Sequence, residues 1–482
     1  MFSEPRPLPP VDSAARRWVV PAVLLALCAA VLVASFLKRD LTRNDFERLD
    51  DLRLLTLFFG LFAGLCGAYC AAYVGWPAVS PTTVAVTTVG SALLLLSSFP
   101  VGSKDVFAYS FFGKIWGGYH ANPYLRSIAD FPADPWQPFV QARWRSTPTV
   151  YGPLFLWQAR LVYYLTGEHL WAALWLHKAF ALVFLLGGLW VGRAILREHT
   201  SDAAGSASWA FVLLAWNPLL LFESGSGGHN DIAMVLLLFG ALLCWHRRRF
   251  DLALGLLALS IWYKWYNIIF APPLLIDTLK RSGVRDLAGQ GMRLMGSSAA
   301  IGLVLLAPLP GSLQTIGSQL LHPKVMQGIY PNELSPPLAI LFWTLQVGGA
   351  LDTEWGIHVF DILRFSIFGV AAGIVLLRQW LSVSSFSMVT ETCFLMSCAF
   401  FLTLPTMLMP WHLVTAVACG ILCRREPFVL AAVVLTILGM LSYFLTFAVA
   451  ALMLGAVSAA VWLLRQLRRA TVRRSDLHAN EG

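Results

Sequence analysis

Asp105 heads the stretch of this chain best suited to chemistry. It stands just past an apolar run, in Ser103-Lys-Asp-Val-Phe-Ala-Tyr-Ser-Phe-Phe-Gly-Lys-Ile-Trp-Gly-Gly-Tyr-His-Ala-Asn-Pro-Tyr124. An acid at a bilayer boundary must be solvated or paired; at the bilayer centre it costs about 2.5–3.5 kcal/mol. Such a carboxylate can act as a general base toward a hydroxyl, a role worth about 10²–10⁴ in rate. It can equally be a helix-end acid paired with Lys104 or Lys114. A carboxylate at the membrane edge, followed by a long loop rich in Gly and aromatics, points to chemistry at the membrane surface on a lipid-carried substrate.

Three further segments carry reactive types. Trp216-Asn-Pro-Leu-Leu-Leu-Phe-Glu-Ser-Gly-Ser-Gly-Gly-His-Asn-Asp231 ends in His229, Asn230 and Asp231. These side chains can hydrogen-bond a sugar or phosphate, or orient a base; Asn and Asp there can also cap the next helix. Trp262-Tyr-Lys264-Trp-Tyr266 sets a lysine among aromatics. Its ammonium can hold a phosphate as a point charge, or snorkel to the interface in an aromatic belt. Pro410-Trp-His412 offers a histidine with the same two readings, and His322 and Lys324 are weaker candidates. Asp361 and Arg364, three apart, are expected to pair on one helix. His177, Lys178 and Glu391 are expected to be structural or to face the bundle interior.

These segments must be positioned by membrane helices. Of 482 residues, 57% are hydrophobic and 13% charged, a balance too apolar for a soluble protein of this size. Continuous apolar runs of about 18–25 residues indicate helices that satisfy their own backbone in lipid, and they lack the alternation of a membrane β-barrel. Candidate spans are 18–37, 54–76, 82–99, 169–196, 207–222, 231–246, 250–263, 266–279, 288–308, 357–380, 389–409, 411–424, 427–446 and 447–466. Spans 250–263 and 266–279 are short enough to be broken or tilted. The first, after Arg16-Arg17, is too long for a signal peptide and reads as a retained helix.

Arg247-Arg248-Arg249, Lys280-Arg281 with Arg285, Arg424-Arg425 and the tail from Arg465 to Arg474 are expected on the cytoplasmic side. The mixed loop 38–53 argues neither way. The stretch 100–150 then lies outside. Parity puts the Gly-His-Asn-Asp loop on that face only if Tyr151–Thr166 does not cross, and its 16 residues suit an interfacial helix. The segment 336–350 is likewise expected not to cross. Asp105, His229–Asp231, Lys264 and His412 would then share one face.

The domain plan is one polytopic unit over 1–466, with outer regions 100–168 and 309–356, and a basic tail at 467–482. The net charge of +9 follows from basic residues at helix ends, which fits topology and anionic lipid better than nucleic acid. All eight cysteines lie in apolar spans without a C-x-x-C pair, as small buried hydrophobes do. No tight carboxylate cluster demands a metal, and no cofactor is expected.

Asp105-Val-Phe-Ala-Tyr109, Gly113, Asn122-Pro-Tyr124 and Trp144-Arg-Ser-Thr-Pro-Thr-Val-Tyr151-Gly-Pro-Leu154, followed by the Asn-Pro…Gly-His-Asn-Asp segment and Lys264 before Pro272-Pro273, resemble C-type (GT-C) integral-membrane glycosyltransferases. The chain is most similar to bacterial polyprenol-phosphate-mannose-dependent α-1,6-mannosyltransferases, over about residues 100–425. The run Phe107–Gly113 is bulkier and more apolar than that family's pattern.

The resemblance implies an all-α, polytopic GT-C-like bundle of about 12–14 spans, with amphipathic interfacial helices in its outer loops. It implies an inverting transfer of a hexose, mannose in the resembled family, from a polyprenyl-phosphate carrier to a lipid- or polysaccharide-linked acceptor at the outer face of the bacterial cytoplasmic membrane. Asp105 would be the base. Tyr109, Asn122, Tyr124, Tyr151, His229, Asn230, Asp231, Lys264 and His412 would bind substrate, without a nucleotide-sugar site. Other polyprenyl-phosphate sugars such as arabinose remain open. A transporter or flippase of lipid-linked sugars fits the helix count, but there is no strong internal repeat and the polar motifs gather on one face.

Overall fold

The computed structural model describes residues 14–37, 52–75, 79–198, 204–321, 334–349, 351 and 353–444. His322, Lys324, most of the loop 38–53, the last expected span and the basic tail lie outside the described residues. The described part is a polytopic helical bundle, with no strand among those residues.

The chain opens with α1 (Ala14–Ser35), α2 (Leu52–Gly75) and α3 (Pro81–Ser97), then α4 (Asp105–Gly117), the single turn α5 (Ala142–Arg145) and α6 (Pro153–Thr166). The centre holds α7 (Leu170–Glu198), α8 (Ala204–Ala215), α9 (Pro218–Gly225), α10 (Asp231–His246), α11 (Phe250–Tyr263), α12 (Ala271–Ser282) and α13 (Val284–Leu306). Then follow α14 (Ser312–Leu321), α15 (Pro336–Val347), α16 (Glu354–Leu381), α17 (Phe386–Thr403), α18 (Leu413–Leu422) and α19 (Glu426–Leu441). Among the described residues, five helices are long and apolar enough to cross a membrane: Trp18–Ser35, Leu52–Val74, Leu170–Glu198, Glu354–Leu381 and Phe386–Thr403. Shorter apolar helices, such as α10, α11 and α19, pack among them.

Several expected spans are interrupted, each for a local reason. The run 207–222 breaks at Asn217-Pro218. Pro218 starts α9, where its missing N–H costs nothing, and Asn217 Oδ1 caps the helix by accepting from the Leu220 amide at 3.0 Å. The Asn217 amide donates to Tyr69 Oη (2.9 Å) and Thr436 Oγ1 (2.8 Å), tying α9 to α2 and α19. The run 266–279 begins as a 3₁₀ segment, Trp265–Phe270, before α12. The run 389–409 ends as helix at Thr403.

Alignment of α7 with α10 defines two ends of the bundle. The two helices run parallel: Lys178 lies against Gly228, Gly188 against Leu236, and Glu198 forms an ion pair with Arg247. One end therefore carries Asp105 and the Gly-His-Asn-Asp loop, and the other carries the Arg247–Arg249 cluster. Gly228 has φ +64°, and a Cβ there would sit 2.8 Å from Lys178 Cγ, so only glycine suits both backbone and space.

The charged residues expected to be structural are held so. Lys178, fully buried, donates to the Ser98 and Leu95 carbonyls at the end of α3, which steadies the strap leading to Asp105. Arg364 pairs with Asp361 at 2.7 Å, and Glu391 takes ion pairs from Arg378 and Arg425. His177 is buried, with neither ring nitrogen hydrogen-bonded.

The short helix α4 is buried along its whole length, packed on α6 and α7. At the α4–α6 contact a Cβ on Gly113 would lie 2.2 Å from the Ala159 carbonyl oxygen. Gly113→Ala is therefore expected to destabilise by about 1–3 kcal/mol through overpacking, read as a lower Tm in detergent, and to displace the helix that carries Asp105. An unchanged Tm would mean that α4 and α6 do not approach so closely.

Candidate active site

Asp105 is the first residue of α4 and is 7% exposed. Its amide donates to Ser103 Oγ at 3.3 Å. Lys114, one of its two expected structural partners, is engaged elsewhere. It lies about two and a half turns along α4 and bridges Asp134 (2.6 Å) and Glu168 (2.5 Å). Burial instead dominates at Asp105 and pushes its carboxyl above the usual range. The positive charges of His229, Lys264 and Arg143 offset this only in part, and Asp231 adds to the rise. A raised carboxyl keeps its proton affinity nearer neutrality, as a general base requires.

The Gly-His-Asn-Asp loop supplies the opposite wall. His229, fully buried, places Nε2 3.1 Å from Ser103 Oγ and Nδ1 2.7 Å from Glu223 Oε2, and its ring stacks on Trp411 at 4.1 Å. Burial favours the neutral ring, yet Glu223, Asp105 and Asp231 together raise its affinity for a proton. Asn230 precedes α10 but makes no capping bond, and both its amide atoms are buried without a hydrogen-bond partner. Such groups are rare in folded proteins and call for a water or a ligand.

Asp231 and Lys264 meet from successive helices. The Lys264 ammonium donates to both Asp231 oxygens at 2.8 Å, and Tyr266 Oη donates to Oδ1 at 2.7 Å. Lys264 therefore turns into the bundle. Two of its three N–H donors are committed, and its Nζ lies 5.7 Å from the centre of the Tyr151 ring. His412 accepts from the Met409 amide through Nδ1 at 3.2 Å, which leaves the proton of a neutral ring on Nε2.

Tyr109 lies one turn beyond Asp105. Its ring makes edge contacts with Tyr151 (5.1 Å) and Phe155 (4.9 Å), and its buried hydroxyl makes no hydrogen bond. Tyr151 is held by its backbone, whose carbonyl accepts from Tyr124 Oη at 2.7 Å. Tyr124 and Asn122 are occupied in holding the loop. Asn122 donates to the Pro310 carbonyl (2.9 Å) and Ser312 Oγ (3.0 Å), and accepts from the Tyr124 amide (2.9 Å). The structure thus gathers Asp105, Tyr109, Tyr151, His229, Asn230, Asp231, Lys264 and His412, and sets Asn122 and Tyr124 behind them.

Five residues join this group that the sequence did not single out. Ser103, Glu223 and Tyr266 stood inside the quoted segments, where nothing local distinguished them. Trp411 was read only as a neighbour of His412. Arg143, whose charge acts on Asp105, immediately precedes the quoted Trp144 run. Among the described residues, no group of three or more His, Cys, Asp or Glu is arranged to hold a metal ion.

The arrangement offers one carboxyl able to take a proton, cations beside it, and unsatisfied donors and acceptors nearby. Residues 15–278 match a family profile described as alpha-(1->6)-mannopyranosyltransferase, N-terminal domain. The chain belongs to this family. It is similar to an alpha-(1->6)-mannopyranosyltransferase of Mycobacterium tuberculosis, 35% identical over 150 residues, which is 30% of this chain and 24% of the relative. It is similar to alpha-(1->6)-mannopyranosyltransferase A of Corynebacterium glutamicum, 28% identical over 170 residues, covering 35% of this chain and 33% of the relative. A shorter likeness, 36% identical over 93 residues, joins it to GPI mannosyltransferase 1 of Gibberella zeae, covering 19% of this chain and 21% of that protein. The chain thus spans about a quarter to a third of the length of the first two relatives.

Proposed function

We propose that this chain is an inverting, multi-pass membrane glycosyltransferase that moves mannose from a polyprenyl-phosphate carrier to a lipid- or polysaccharide-linked acceptor. The reaction takes place at the outer face of the cytoplasmic membrane, the side assigned to 100–168 and 309–356. The observation that carries this reading is the convergence of Asp105, His229, Asp231 and Lys264 at the end of the bundle opposite the Arg247–Arg249 cluster. Mannose is the sugar named in the activities of the similar proteins.

Asp105 accepts the proton of the acceptor hydroxyl. That oxygen attacks the anomeric carbon as the bond from this carbon to the phosphate oxygen breaks, and polyprenyl phosphate leaves with the bonding pair. The remaining Lys264 donor and His412 Nε2 stabilise the charge gathering on the phosphate. Asn230 and Tyr109 supply the otherwise unused hydrogen bonds to sugar hydroxyls. Membrane lipids surround the helices, and nucleic acid has no part.

The test is product analysis with the protein in lipid. Polyprenyl phosphate is expected to appear in equal amount to the new glycosidic bond, with the donor's anomeric configuration inverted. Retention of configuration would remove the single-displacement step. Because burial raises the Asp105 carboxyl, and the base must be ionised, the rate is expected to fall as pH drops through a value above the ordinary carboxylate range. A rate flat with pH down to about 4 would contradict this role for Asp105.

A further inference from the structure

Glu223 lies in α9, 1% exposed, and has no place in the transfer step just described. Its carboxylate is held from two sides: Oε1 accepts from Tyr443 Oη at 2.8 Å, and Oε2 is 2.7 Å from His229 Nδ1. The backbone closes the same loop, since the His229 amide donates to the Glu223 carbonyl at 2.9 Å. Beyond the ring, His229 Nε2 reaches Ser103 Oγ at 3.1 Å, and that oxygen accepts the Asp105 amide at 3.3 Å. A line of contacts therefore runs Tyr443–Glu223–His229–Ser103–Asp105, in which the Glu223–His229 link is a close ion pair and not an aligned hydrogen bond, with the imidazole kept flat by Trp411 at 4.1 Å.

A buried carboxylate is costly unless it faces a cation, and among the described residues the group in ion-pair contact with Glu223 is the His229 ring. An imidazolium donates from both nitrogens, which orients Nε2–H onto Ser103 Oγ. Besides Glu223, the charges acting on His229 are Asp105 on α4 and Asp231 on α10, and the neighbouring His412 ahead of α18 is a neutral ring, its proton affinity lowered by burial. Asp231 is paired with Lys264, and of the remaining carboxylates Glu223 is the one in ion-pair contact with the ring, at 2.7 Å, with Asp105 acting on it beyond that contact.

We propose that Glu223 is a positioning residue: it holds His229 as an imidazolium, which fixes Ser103 at the start of α4 and keeps the neighbouring Asp105 ionised and ready to take a proton. This rests on the reading of Asp105 as the base, but the charge on His229 is measurable without any transfer assay.

The experiment uses the full chain, labelled with ¹⁵N-histidine in lipid nanodiscs, with the His229 signals assigned through His229→Gln. At about pH 7 the wild-type ring is expected to be an imidazolium, and in Glu223→Gln it is expected to be neutral. In parallel, the acid limb of the Glu223→Gln rate profile is expected to move toward alkaline pH by about one unit. This means a roughly tenfold lower rate below the limb, with convergence on wild type above it and partial rescue by Glu223→Asp. A neutral wild-type ring, an unchanged ring in the folded Gln variant, or an equal loss at every pH would overturn the proposal. If Glu223→Gln does not fold, the wild-type spectrum alone decides. Absence of transfer by the wild type would count against the enzymatic reading while leaving the His229 result to stand or fall by itself.

Discussion

Asp105→Asn is expected to lower sugar transfer by about 10²–10⁴ while leaving the fold intact. The change removes the proton acceptor and keeps the size and hydrogen-bonding shape of the side chain. Stability is expected to hold because the carboxyl is buried and the Asn amide is neutral, which relieves desolvation. The Asp105 backbone bond to Ser103 does not depend on the side chain and is retained. Loss in kcat with little change in donor KM identifies a group used in the transition state. If the Asn variant transfers at the wild-type rate, the base is another group.

The second large effect is on stability. Lys264→Met leaves Asp231, which is fully buried, without its cation. Breaking one partner out of a buried pair costs about 3–5 kcal/mol, whereas removing both charges is far milder. Lys264→Met alone is therefore expected to lower Tm more than Lys264→Met combined with Asp231→Asn, and Tyr266 Oη remains to bond the Asn side chain. Both variants are expected to lose transfer, since each removes the ammonium assigned to the leaving phosphate. Thermal unfolding in detergent separates the two contributions. A single variant as stable as the double would mean that the pair is solvated and not buried.

The legible parts of this molecule are those encoded locally. Apolar run length gave the helices, because each must close its own backbone bonds in lipid. The Gly-His-Asn-Asp segment announced itself by its polarity beside a helix start. The break at Asn217-Pro218 was hidden inside an apolar run, because the partners that make Asn217 useful lie 148 and 219 residues away. The bonds of Asn122 to Pro310 and Ser312 were equally hidden, because these partners are 188 and 190 residues distant. Glu223 stood without a role inside the quoted 216–231 segment, since its contacts are with a loop six residues on and with Tyr443 220 residues on. Pairing across the fold, unlike periodicity, leaves no trace in one sequence.

The same limit explains the two readings of Lys264. A lysine between aromatics fits an interfacial anchor as well as a site residue. Its turn toward Asp231, 33 residues earlier, depends on α11 ending at Tyr263 and on the extended backbone of Lys264 itself. That reversal brings Tyr266 onto the same carboxylate.

The measurement that bears most directly on the central claim is a donor comparison with the purified protein in lipid and a mixed glycan acceptor extract. Label is expected to pass from polyprenyl-phosphate [³H]mannose to acceptor and not from GDP-[³H]mannose, and Asp105→Asn is expected to abolish it. Transfer from the nucleotide sugar alone, or from neither donor, would contradict the account.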